Sequence, residues 1–368
     1  MIKSIKLFLK KETVLIISFI LAFISCFIIP PDKEYFEYID TATIIILFCL
    51  MLVVLGLKEI GLFEYIGGAL LNKIKTERQL ILVLVFLCFF TSMFITNDVA
   101  LITFVPLGIL ILNMSSMNNS LCLTITLMTI SANLGSMLTP IGNPQNLYLY
   151  SISNFSVIKF VLIMLPYTII SAILLFVCIW FTYSKRKVTI DKLENKKKIN
   201  NNSLIYYIVL FCLCILTVIG LIPDIILFII ILISIIIKNK TLLLKIDYSL
   251  LLTFICFFIF VGNINRITIF YEFITDILND NVRIVSIFIS QIISNVPTAF
   301  LLSGFTQEWK ELIVGTNIGG LGTLIASMAS LISYKQIIIN YPNLKNKYLA
   351  VFTLLNIIFL VIFCILPI

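Results

Sequence analysis

The chain has 368 residues, of which 61% are hydrophobic and 12% charged, and its mean hydropathy is +1.14. That balance excludes an ordinary water-soluble domain, whose charged fraction is about twice as large. A formal net charge of +8 raises nucleic-acid binding, yet the basic residues sit in short stretches between apolar runs, without one basic patch interleaved with aromatics, and so read as topology signals.

In chain order, runs long enough to cross about 30 Å of hydrocarbon fall near 14–30, 40–57, 120–150, 156–182, 204–222, 224–237, 248–262, 308–334 and 347–367. Lysines before the first run imitate a signal peptide, but no small-residue cleavage site follows and Pro30-Pro31 closes a full-length span. The segments 79–112 and 284–305 differ, because each is broken by polar residues, Thr96-Asn97-Asp98 and Ser294-Asn295, with Pro106 or Pro297 beyond. Lipid leaves no partner for freed backbone groups, so such breaks must be buried in protein or face a wet cavity. Both segments are therefore expected to be re-entrant helical hairpins. The stretches 58–77 and 263–282 mix charged and apolar residues at helical spacing, as interfacial helices do, and 183–203 is a basic hydrophilic linker. All nine cysteines lie in apolar runs without metal-ligand spacing and read as small buried hydrophobes.

The second half repeats the first. SANLGSMLTPIGNPQN (131–146) aligns with GTNIGGLGTLIASMAS (315–330) so that Asn133, Gly135, Thr139 and Ile141 fall on Asn317, Gly319, Thr323 and Ile325. Ile39-Asp40 leads into one repeat and Ile246-Asp247 into the other. The expected organisation is an N-terminal cytoplasmic segment and first helix over 1–39, a first repeat over 40–182, the linker, linking helices over 204–246 and a second repeat over 247–368. With the N-terminus in the cytoplasm and the C-terminus outside, the cytoplasmic segments hold every Lys and Arg but Lys33, Lys159, Arg266, Arg283 and Lys310. That bias supports the orientation and gives the repeats inverted topology. It would largely vanish if either hairpin crossed the bilayer once.

The repeated motifs carry the chemistry. At each tip two half-helix ends leave backbone N–H and C=O groups free beside Asn97 and Asn295, whose amides both donate and accept. The partner breaks, Asn133 to Thr139 and on to Asn143-Pro144, and Thr316-Asn317 to Thr323, supply glycine for close approach, proline and hydroxyls. Helix N-termini attract anions, while carbonyls and C-terminal ends attract sodium. Asp98 is the one carboxylate deep in an apolar setting; it either binds the coupling cation, sodium or proton, beside Asn97, or caps the returning half-helix. Sodium would be held at Asn97, Asp98 and Asn295 with backbone carbonyls. With no histidine, no Walker A or GxGxxG loop and no second buried carboxylate, an enzyme is not expected and no cofactor is needed.

The strings TNDVALITFVPL, ANLGSMLTPIGNPQN, ISNVPTAFLL and GTNIGGLGTLIAS resemble the hairpin and broken-helix signatures of the ion transporter superfamily, which includes citrate transporter-like permeases, divalent anion/sodium symporters and arsenite permeases. The resemblance spans roughly 40–367. It implies an all-α polytopic elevator-type transporter, usually a homodimer, of the plasma membrane. Carried over by position, Thr96, Asn97, Gly142, Asn143, Pro144 and Asn146 would line a first sodium and substrate site; Ser294, Asn295, Val296, Pro297, Gly315, Thr316 and Asn317, with neighbouring Thr298, would form the second. The symporters carry Ser-Asn-Thr at both tips, whereas these tips read Thr-Asn-Asp and Ser-Asn-Val, the former closer to the arsenite permeases. The sequence thus predicts a secondary active transporter of a small anionic solute coupled to sodium or protons. Its alternatives are an arsenite efflux permease or cation/proton antiporter, and a passive channel.

Overall fold

The computed structural model describes residues 12–71, 74–188, 200–279 and 281–366; the lysine-rich residues 1–11 and linker residues 189–199 lie outside the described residues. Among the described residues there is no strand, only an isolated bridge between Thr76 and Lys187. The first half contains α1 (Thr13–Ile28), α2 (Thr41–Glu59), α3 (Leu62–Leu71), α4 (Glu77–Ile95), α5 (Asn97–Met114), α6 (Leu121–Ser136), α7 (Pro144–Ser153) and α8 (Val157–Thr182). α9 (Asn201–Val218) and α10 (Asp224–Asn239) link the halves. The second half contains α11 (Tyr248–Asn265), α12 (Thr268–Leu278), α13 (Val282–Ile293), α14 (Asn295–Ser303), α15 (Trp309–Ile318), α16 (Met328–Asn340) and α17 (Lys345–Ile365).

Among the described residues eight helices are long and apolar enough to cross a membrane, and the protein is a multi-pass membrane protein. Several start on side-chain caps: Asp40, Thr76, Ser156 and Asp247 each accept a hydrogen bond from a backbone N–H three residues on, which satisfies one of the four orphan donors of a helix start. α2, α4 and α5 bury more than half of their length, whereas α9 and α10 bury less than a third and turn isoleucines outward, as lipid-facing helices do.

Two packed groups result. In one, α11 lies along α1 and α2 along α9 and α10. Polar contacts staple it: Asn263 Nδ2 donates to Ser25 Oγ and Tyr35 Oη at 2.9 and 2.7 Å, and Asn239 Nδ2 donates to Glu59 at 2.8 Å. Just beyond α11, Arg266 pairs with Asp32 at 2.6 Å and holds that carboxyl below its usual range. In the other group α6 packs on α4, α5, α16 and α17, and α13 on α15.

The two polar breaks fall where expected. α4 and α5 pack together as a helical hairpin around Thr96, and α13 and α14 do so around Ser294. Their sizes differ. The first arms have 19 and 18 residues, each long enough alone to span, because residues on both sides of the break are strongly apolar; the second arms have 12 and 9. A hairpin returns to its starting side in either case. The runs 120–150 and 308–334 are both interrupted, giving α6–α7 and α15–α16, and α3 and α12 occupy the two amphipathic stretches.

Glycine sets how closely these helices approach. A Cβ on Gly135 of α6 would lie 2.1 Å from the Phe89 carbonyl oxygen of α4, and one on Gly319 would lie 2.6 Å from Ser290 Oγ. A backbone obstacle cannot rotate away. Gly135→Ala is therefore expected to cost about 1–3 kcal/mol or more, seen as a lower unfolding temperature of the purified protein. Gly108→Ala, which meets only the flexible Met128 thioether at 3.0 Å, is expected to cost much less.

Candidate transport site

The two hairpin tips share one backbone geometry. Thr96 has φ 71° and ψ 150°, and Ser294 has φ 80° and ψ 154°. Non-glycine residues in this region carry about 1–3 kcal/mol of strain each, which persists only where the surroundings enforce it. At the second tip that enforcement is visible: the Asn295 backbone N–H donates to the Ala326 carbonyl at 2.9 Å, and Ser294 Oγ donates to the same oxygen at 3.3 Å.

The asparagine after each strained residue is likewise set. Asn97 Oδ1 accepts from the Asp98 N–H at 2.8 Å and Asn295 Oδ1 from the Val296 N–H at 3.0 Å. Each Nδ2 therefore points away from its own helix. Asn97 Nδ2 donates to Asn133 Oδ1 at 2.9 Å; that oxygen also accepts from Ser327 Oγ at 3.1 Å, and Asn133 Nδ2 donates to the Gly320 carbonyl at 3.4 Å. Asn133 thus ties the first tip to both breaks.

The first break folds back on α6. Asn143 Nδ2 donates to Ser136 Oγ at 2.7 Å, and Asn146 Nδ2 to the Ser136 and Thr139 carbonyls at 3.3 Å each. Gly142 is required there, since a Cβ would lie 2.1 Å from the Ser136 carbonyl oxygen. Asn317 Nδ2 donates to Asn146 Oδ1 at 2.7 Å and to the Ile313 carbonyl at 2.8 Å, closing the network, while Asn317 Oδ1 is buried without a partner.

Thr96, Asn97, Asn133, Gly142, Asn143, Asn146, Ser294, Asn295 and Asn317 are thus joined, directly or through their backbone, in one buried polar network. Pro144 and Pro297 stand in the first turns of α7 and α14, where a missing N–H leaves no helical bond unmade. The remaining expected residues are placed otherwise. Thr139 Oγ1 donates to the Met93 carbonyl at 2.5 Å and Thr323 Oγ1 to the Gln291 carbonyl at 2.9 Å, so both hydroxyls staple a break to a hairpin. Thr298 Oγ1 donates to the carbonyl of the tip residue Ser294 and Thr316 Oγ1 to that of Leu312 within α15, both at 2.8 Å, and Gly315 admits the Arg283 backbone.

Of three residues that motif reading passes over, two take part in the network and the third adjoins it. Ser327 completes the Asn133 node, and Gln291 gathers the Gly319 and Leu321 carbonyls at 3.0 and 2.9 Å. Gln145 lies fully buried between Pro144 and Asn146. A polar residue in an apolar run, adjacent to a break, is the signal that would have found all three.

Asp98 is half-buried in the first turn of α5, and its carboxylate makes no hydrogen bond or ion pair among the described residues. Since it accepts no helix-capping bond, the capping alternative has no support in this geometry. The charge that acts on it is another negative one, exposed Asp247 at the head of α11. A half-buried carboxylate with no hydrogen-bond or ion-pair partner among the described residues attracts a cation. Among the described residues no three His, Cys, Asp or Glu side chains gather as a metal centre.

Comparison with known proteins places this architecture. The family described as citrate transporter matches residues 5–308. The chain belongs to the citrate transporter family. A curated relative, an uncharacterized transporter of Methanocaldococcus jannaschii, is 37% identical over 303 residues, covering 82% of each chain. Inner membrane protein YbiR of Escherichia coli is 29% identical over 321 residues, covering 85% of this chain and 84% of that protein. The silicon efflux transporter LSI3 of Oryza sativa subsp. japonica is 32% identical over 140 residues, 38% of this chain and 28% of that protein. Membership of the citrate transporter family and the transporter relatives make the chain a membrane transporter.

Proposed function

We propose that this transporter is a secondary active carrier of a small, oxygen-rich anion, moved with a coupling cation by alternating access between inverted repeats. The observation that carries the proposal is the buried node in which the Asn97 amide of the first tip meets both helix breaks through Asn133, Asn317 ties the second break to the first, and the second tip is held to its break by the Asn295 backbone N–H on Ala326. Half-helix N-termini and amide donors suit oxyanion groups, and a hard oxygen set of Asp98 and amide carbonyls suits sodium or a proton. Among the described residues no basic side chain joins the network, so a cation bound at Asp98 cancels the negative charge that would otherwise repel an anion. The basic bias of the sequence supports an orientation in the plasma membrane with a cytoplasmic N-terminus and an outer C-terminus, in which the head of α11 and the far end of α16 lie on the cytoplasmic side.

Alternation is supported by an asymmetry of packing. α7 pairs with α14, and α5 with α16, the arrangement expected of two related halves. Yet α7 rests on α2, where Ser151 Oγ donates to Asp40 at 2.6 Å, and α14 rests on α11, while α5 and α16 have no comparable packing on those helices among the described residues. An elevator-type motion of the polar group would exchange these contacts, with the frame helices forming the homodimer that the family resemblance implies.

Uptake into proteoliposomes under an imposed sodium or proton gradient tests the reading: concentrative uptake of a carboxylate or oxyanion that collapses with the gradient is expected. Equilibration to equal concentrations regardless of gradient would make the protein a channel. A second reading, efflux of an uncharged oxyacid against protons, is favoured by the same lack of basic groups and by the LSI3 relative; it predicts gradient-driven movement of undissociated acids and none of carboxylates.

A further inference from the structure

Gln145 is fully buried, and among the described residues neither its amide oxygen nor its amide nitrogen has a hydrogen-bond partner. Polar residues that merely glue membrane helices together are paired with one another, and an unpaired amide in a low-dielectric interior is costly. Its surroundings show why no protein group answers it. Tyr148, three residues further along α7, stacks on Phe300 of α14 with ring centroids 4.1 Å apart and shares a hydrogen bond of 2.8 Å with Ser303. The face of α7 that bears Tyr148 and Gln145 is therefore turned to α14. Both helices start at the polar node, so one turn back from the Tyr148–Phe300 stack Gln145 stands beside the first turn of α14, where Val296 offers only methyl groups.

The other half has the reverse arrangement. Aligning the repeats on Asn133 and Asn317 carries Gln145 onto Ala329 of α16, and the tips carry Val296 onto Asp98. One paired set of helix N-termini, α5 with α16, holds a carboxylate opposite an alanine; the other, α7 with α14, holds an amide opposite a valine. The remaining side-chain groups are biased the same way: both polar atoms of the Asn133 amide have partners, whereas Asn317 Oδ1 has none among the described residues.

We propose that Gln145 contacts the transported solute and selects one that carries a hydroxyl. This rests on the transporter reading above and assigns the cation to the Asp98 half and the solute to the Gln145 half. Two adjacent helix N-termini favour oxygen acceptors, which the Gln145 Nε2 donates to. A fully ionised carboxylate would still leave Oε1 unpaired. A solute with an O–H beside its acceptor oxygens satisfies both atoms, and the Asn317 Oδ1 acceptor nearby reinforces the same demand. Hydroxycarboxylates and undissociated inorganic oxyacids share this chemistry.

The test measures binding to purified wild-type protein and to Gln145→Leu and Gln145→Met, with sodium present. The probes are citrate against tricarballylate, which lacks only the hydroxyl, malate against succinate, and silicic acid. Wild type is expected to prefer the hydroxyl-bearing member by about tenfold or more, since a site that pairs with a hydroxyl rejects its deoxy analogue. Both variants are expected to lose that preference by weakening the hydroxylated probe while leaving its partner unchanged. Response to silicic acid alone, abolished by the same variants, would assign the inorganic class. Gln145→Met, which keeps the volume, is expected to unfold at the same or a higher temperature without ligand. Wild-type binding whose strength and hydroxyl preference survive in both variants overturns the inference and leaves the carrier reading standing. A lowered unfolding temperature of Gln145→Met also overturns it, by revealing a structural partner. Wild type that binds no probe removes the assigned solute class and this inference together.

Discussion

Asn133→Ala is expected to reduce gradient-driven transport by about 100-fold or more while leaving an inserted, folded protein. Three bonds converge on this one amide, from Asn97, from Ser327 and to Gly320, and truncation strands all three partners at once. A buried polar group left unpaired costs about 1–3 kcal/mol, and about 1.4 kcal/mol is a tenfold change in rate. Two such losses, falling where the first tip meets the opposite break, account for the expected magnitude. Asn317→Ala makes the contrast. Asn317 has two partners and a free carbonyl, so its removal is expected to weaken solute binding more than it lowers the unfolding temperature. Rates in proteoliposomes, set beside thermal unfolding of each variant, check both; a near-wild-type rate for Asn133→Ala would remove the node from the transport cycle.

How far the sequence speaks depends on the kind of fact. The tips were legible because Thr96-Asn97-Asp98 and Ser294-Asn295 interrupt otherwise apolar runs, and lipid permits such interruptions only with an internal reason. The breaks were legible because glycine and proline recur at aligned positions. What the hydroxyls do was not: Thr139 and Thr323 align in the repeat and look like ligands, yet each is spent on a backbone carbonyl of its neighbouring hairpin. Alignment reveals that a position matters to both halves without distinguishing a staple from a ligand. Gln145 escaped for the opposite reason, since its counterpart is Ala329 and symmetry directs attention away from it. Likewise the length of the α4–α5 hairpin could not be read from its break, because the break marks the tip and says nothing of how far the apolar arms run.

Asp98→Asn is expected to uncouple the carrier. The substitution keeps the shape of the side chain and breaks no hydrogen bond, because the carboxylate makes none; it removes only the charge. An ionised group at a membrane-helix centre costs roughly 3 kcal/mol. Its half-buried setting, without a bonded or basic partner among the described residues, offsets none of this, so a structural carboxylate would be out of place. The variant should consequently be as stable as wild type in the absence of cations, or up to about 2 kcal/mol more stable, given that only part of the full burial cost applies. Stabilisation by sodium, which grows with the logarithm of its concentration over its dissociation constant when the folded state alone binds it, should disappear. Concentrative uptake should fall by about 100-fold, with equilibrative solute exchange retained, since the solute half at α7 and α14 is untouched. Thermal unfolding across a sodium and pH series, together with uptake and exchange in the same vesicles, separates the two effects. An Asp98→Asn protein that still concentrated solute against a gradient, with wild-type cation dependence, would move the coupling site away from the first tip.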